Sequence, residues 1–168
     1  MPDKKLKRYG LEKAAKILIV VGLLLILISW IMATYYLIVN PTTKGGLALL
    51  SIPIIFTAVA ATLLLVIKYR YTLFEKYPYL MNLPSIFYHL GERKDTKKQS
   101  TAFNMIFTVH SLVIAFLGLM SLLLTVSIGS SIRNQTNSPF FYLYFVVIAA
   151  LIASVILIYR RIYVRLRK

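Results

Sequence analysis

Hydrophobic positions in this chain do not alternate with polar ones on a helical or strand period. They run unbroken for about twenty residues at a time, four times over, across 17–39, 46–67, 101–128 and 140–159. The first, second and fourth runs carry no charge, and the third has His110 as its only ionisable side chain. A helix rising 1.5 Å per residue needs about 20 apolar residues to cross a hydrocarbon layer. A helix on the surface of a soluble bundle would instead show a polar face every turn. The pattern predicts an all-α integral membrane protein with four transmembrane helices. The first run is about 23 residues long, against about 7–15 for the core of a signal peptide. No small-residue cleavage site follows it, so it is expected to remain as a helix.

The polar intervals set the expected organisation. The first two runs are joined by "NPTTKGG", with Pro41 and the Gly45-Gly46 pair as helix breakers; the last two are joined by "GSSIRNQTNSP". Links this short make each pair of helices antiparallel neighbours, so two hairpins are expected. Around them lie a basic segment at 1–16, a connector at 68–100 and a basic tail at 160–168.

Within the connector, "YPYLMNLPSIFYHLG" is the least regular stretch. Pro78 and Pro84 each lack a backbone donor and argue against one continuous helix, while Gly91 suits a position just past a helix end. A short helix over 84–90 is expected, with Leu80, Leu83, Phe87 and Leu90 on one face. That apolar stripe, with Tyr77, Tyr79 and His89 beside it and Lys94, Lys97 and Lys98 following, reads as an amphipathic segment lying in the headgroup region, able also to dock a partner. The competing reading is a catalytic loop using His89 with Glu75, Glu92 or Asp95. Those carboxylates are interspersed with basic residues as in a solvated charge cluster, which favours the interfacial reading.

Charge orients the helices. Eighteen of the 20 basic residues fall at 1–16, 68–100 or 160–168, leaving only Lys44 and Arg133 in the two short links. Basic residues accumulate on the cytoplasmic side, so both termini and the connector are expected there, in a cell membrane. Tyrosines flank the predicted spans and avoid their centres, as an aromatic belt requires. The net charge of +15 then needs no nucleic acid to explain it, because orientation and attraction to anionic lipid account for it. The chain has no cysteine, which excludes disulfides and thiolate metal sites.

Polar residues inside a span are candidates for function. Asn104, Thr108, Ser111, Ala115, Gly118, Leu122 and Thr125 step by 4 and 3 along the third run, mostly small or polar. Sparser sets occur in the first run (Ala15, Gly22, Ser29, Ala33) and the fourth (Ala149 with Ala153, Ala150 with Ser154), and the second holds Ser51, Pro53, Thr57, Ala58, Ala60 and Ala61. Such stripes let helices approach closely, and packing is the favoured reading over a solute path past Asn104, Thr108, Ser111 and Gly118. His110 is a candidate buried polar site. A lone histidine is a poor basis for a metal centre, so neither metal nor cofactor is expected. Asn134-Gln135-Thr136 is an N-glycosylation sequon on the expected outer face.

No nucleophile, acid–base pair or metal cluster falls within the spans, so a non-catalytic protein is expected. Three readings follow. The first is an accessory or scaffolding subunit packing on another integral membrane protein. The second is a homo-oligomeric channel or carrier built around the third helix. The third is a regulator docking a soluble partner on the basic connector.

Overall fold

Four α-helices make up the described residues 11–39, 46–76, 96–134 and 140–167 of the computed structural model. They are α1 (Leu11–Val39), α2 (Gly46–Lys76), α3 (Thr96–Asn134) and α4 (Phe140–Arg167). All four outrun the apolar stretches that predicted them. Lysine and arginine are good helix formers, so the helix continues into the charged flanks once the apolar span has nucleated it. The connector expected at 68–100 is therefore helical at 68–76 and again at 96–100.

Three helices are long and apolar enough to cross a membrane, over Lys13–Val39, Leu49–Tyr69 and Phe107–Ile132. The fourth is shorter in its apolar part, Tyr142–Ile158, although the helix itself runs for 28 residues. At 1.5 Å per residue that stretch reaches about 26 Å, slightly less than a typical hydrocarbon core.

The largest interface joins α1 to α3, helices that are not neighbours in the chain. Gly22 meets Ile114 and Gly118, Ser29 meets Ser121 and Thr125, and Tyr36 meets Gly129. Residue numbers rise together along both helices, so α1 and α3 run parallel. On α2 they run the other way: Ile67 packs in one cluster with Ala15, whereas Thr57 bonds Trp30. α3 also packs on α2 and on α4, and is the one helix with a substantial interface to each of the other three. Between Phe107 and Ile132 only Ile128 is exposed. α3 is thus the axis of the bundle.

On α1 the inward positions are Ala15, Ile19, Gly22, Ile26, Ser29, Ala33 and Tyr36, all buried except the partly buried Ile19. They step by 4 and 3 throughout, the seam spacing of helices packed at a shallow left-handed angle. The rest of α1 turns large aliphatics outward, among them Ile17, Val20, Leu24, Leu27, Ile31 and Ile38.

α2 carries Pro53 inside the helix, buried. Proline takes away one N–H and crowds the carbonyl four residues back. One turn on, the Thr57 hydroxyl donates to the Pro53 carbonyl at 2.6 Å and accepts the Trp30 indole N–H at 3.1 Å. A helix irregularity is thereby tied to α1.

The parallel register is open to a direct test in a chain with no native cysteine. Ser29→Cys with Thr125→Cys should cross-link under mild oxidation, since the two hydroxyl oxygens lie 2.8 Å apart. Ser29→Cys with Ser111→Cys should not, as Ser111 lies about 21 Å lower on α3 than Thr125.

Candidate functional site

The most constrained place in the described structure is the α1–α3 seam. At its middle two glycines allow backbone to meet backbone. A Cβ added to Gly22 would stand 2.5 Å from the carbonyl oxygen of Ile114, and one added to Gly118 would run into the Gly22 carbonyl. Neither obstacle is a flexible side chain, so any substitution forces the helices apart. One turn beyond Thr125, Gly129 leaves room for the ring of Tyr36, which a Cβ there would strike.

Between these contacts lie three buried hydroxyls. Ser29 donates to the Ser121 carbonyl at 3.2 Å, and Ser121 returns its own hydroxyl proton to Ser29 Oγ at 2.8 Å. Thr125 Oγ1 lies 2.8 Å from Ser29 Oγ and, with the Ser29 proton already committed, is the donor of that pair. Ser29, Ser121 and Thr125 are fully buried. Among the described residues no buried side-chain nitrogen or oxygen lacks a hydrogen-bond partner. A satisfied polar network in a low-dielectric setting fixes register, because sliding one helix along the other would strand every member. Lower on the same face, the buried Ser111 hydroxyl donates to the Phe107 carbonyl of its own helix at 2.6 Å.

The stripe read from the third run is half of this seam. Ser111, Gly118 and Thr125 are buried, the last two against α1, whereas Thr108, Ala115 and Leu122 are only half-buried. The other column is Phe107, Ile114 and Ser121, all buried. Ser121 escaped the sequence reading. The signal that would have found it is the matching seven-residue rhythm of Ala15, Gly22, Ser29 and Ser111, Gly118, Thr125, which pairs small with small, glycine with glycine and hydroxyl with hydroxyl. Setting those two strings side by side places Thr125 opposite Ser29 and Ser121 one helical turn before it.

His110 stands half-buried, next to Ser111 and a turn from Phe107 and Ile114; both it and Thr108 engage neighbouring groups. No group of three His, Cys, Asp or Glu side chains able to hold a metal occurs among the described residues. Asn104, Lys97, Lys98 and Asn134 lie on α3, with side chains outside the described set. Tyr77, Tyr79, Phe87, His89 and Lys94, and with them the expected helix over 84–90, lie outside the described residues altogether.

Comparison with protein-family models, with curated proteins and with solved structures finds no match to this chain.

Removing the hub of the network should be felt, but not fatally. Ser29→Ala leaves Ser121 and Thr125 to fall back on carbonyls of their own helix, and should lower unfolding stability in mixed micelles by about 1–2 kcal/mol. Thr34→Ala, which deletes an exposed hydroxyl bonded to its own helix at Trp30, should change it by no more than about 0.5 kcal/mol.

Proposed function

We propose that this protein is a non-catalytic accessory or scaffolding subunit of a membrane, whose helices pack against another integral membrane protein. The observation that carries this reading is the outward face of α4. That helix packs on α3 and makes no comparable interface with α1 or α2. Its small residues Ala149, Ala150 and Ala153 point away from the bundle, and only Val147 among its described side chains is buried. The contrast with α1 is informative: there small residues face inward and large aliphatics face out. Small residues four apart on an outward face are the material of helix–helix contact in lipid, where apolarity alone drives no association.

In this reading the chain is arranged as two antiparallel hairpins with both termini in the cytoplasm of a cell membrane. The basic connector lies along the inner leaflet, in contact with anionic lipids. The orientation rests on the distribution of basic residues. The channel or carrier alternative draws less support. Gly118 and Thr125 are committed to the α1–α3 seam, and the Thr125 and Ser111 hydroxyls are spent on hydrogen bonds, the first across the seam and the second within α3. The regulator alternative rests on the connector's charge alone.

Native mass spectrometry of the gently extracted protein tests the proposal. A stoichiometric membrane-protein partner is expected, and Ala149→Leu with Ala153→Leu should reduce its recovery about tenfold or more through overpacking. The Ser29–Thr125 cysteine cross-link should persist in that variant, showing the bundle intact. A homo-oligomer as the sole species would overturn the accessory reading.

A further inference from the structure

We infer that the groove between α1 and α2 is a binding site for one anionic glycerophospholipid, with its phosphate held by Lys16 and Lys68. Along it the facing lines of α1 and α2 supply an apolar strip, an inner stop and a charged mouth. Its inner stop is the Trp30–Thr57 hydrogen bond, 3.1 Å long, which ties the two helices together near mid-length. From there towards the basic end, α1 presents Leu23 and then Lys16, each seven residues from the last and so within about 20° of the same line. On α2 the residues following Thr57 are Ala61, Leu64 and Lys68, at steps of 4, 3 and 4, again one line along the helix. Leu64 is half-buried, and Leu23, Ala61 and both lysines are exposed, so an apolar strip ends in two cations.

The lysines meet at one level. α1 and α2 run in opposite directions, as Ala15 and Ile67 in one cluster and Trp30 with Thr57 establish. Lys16 lies 14 residues from Trp30 and Lys68 lies 11 from Thr57, about 21 Å and about 16 Å along the respective axes. The difference of about 5 Å is within the reach of two lysine side chains. The adjacent Ala15 and Ile67 pack against each other's cluster and hold the two positions side by side. Lys68 Nζ also stands 5.3 Å over the ring of Tyr69, a cation–π contact that steadies its ammonium at the mouth.

The dimensions identify the occupant. A strip of about 16–21 Å matches one leaflet, about half of a 30 Å hydrocarbon core. An acyl chain can lie on Leu23, Ala61 and Leu64 while the phosphate bridges the two ammonium groups. A free phosphate would leave the strip uncovered, and a zwitterionic lipid would bring its own cation to the lysines. A basic niche between transmembrane helices on the cytoplasmic side is where anionic headgroups are held. This site stands whether or not α4 carries a partner.

Spin-label spectroscopy on the full-length protein in phosphatidylcholine vesicles provides the test, comparing spin-labelled phosphatidylglycerol with spin-labelled phosphatidylcholine. The protein should immobilise the anionic probe preferentially. Lys16→Gln with Lys68→Gln should cut that preference by about 30-fold, about fivefold for each lysine. Lys76→Gln with Arg160→Gln removes as much charge away from the groove and should cut it far less. Ala61→Phe fills the strip with both lysines in place and should weaken the preference as well. Equal losses in the two glutamine pairs would reduce the effect to diffuse surface charge and overturn the site. No preference in the unmodified protein, or full competition by inorganic phosphate, would overturn it too.

Discussion

Everything in this bundle depends on how closely α1 and α3 approach at Gly22 and Gly118. With backbone against backbone, the Ser29, Ser121 and Thr125 hydroxyls come within hydrogen-bonding distance of one another; a methyl group at either glycine would separate them. In a lipid environment the close approach matters doubly. Burial of apolar surface gives helices no reason to associate there, so van der Waals contact and interhelical hydrogen bonds must supply it. The glycines enable the first and permit the second.

Around that seam the other helices are arranged by what α3 has left to offer. α3 is buried on more than one side: Gly118 and Thr125 face α1, while Val109 and Ser127, both also buried, lie nearly opposite on the helix. Surrounded in this way it exposes only Ile128 between Phe107 and Ile132, unlike α1, and its composition is correspondingly richer in serine and threonine. α2 is fastened to α1 by Trp30 and Thr57 and to the cluster of Ala15, Phe107 and Ile114 by Ile67. α4 is held by α3 and leaves most of its surface uncovered.

Much of the secondary structure was legible because length and apolarity report directly on helices that must satisfy their own backbone. The seam was legible only in part. One of its α3 columns, Ser111, Gly118 and Thr125, stood out as small and polar. The other contains Phe107 and Ile114, which look like every other apolar residue in a span, so periodicity alone could not choose the flanking positions. Which helices pair was harder still. Short links announce neighbours in sequence, whereas the α1–α3 interface joins segments across a whole intervening helix and its connector. Only comparison of one helix's rhythm with another's carries that information.

The separation of Ser29 from Ser121, 92 residues, also sets an order of events during synthesis. At about 5–20 residues per second, α1 is made roughly 5–18 s before the segment that completes it. For that interval the first helix carries a glycine notch and a serine with no matching surface. In the finished fold α2 is bonded to α1 at Trp30, off the line of Gly22 and Ser29. That face of α1 therefore waits for the third helix to cover it.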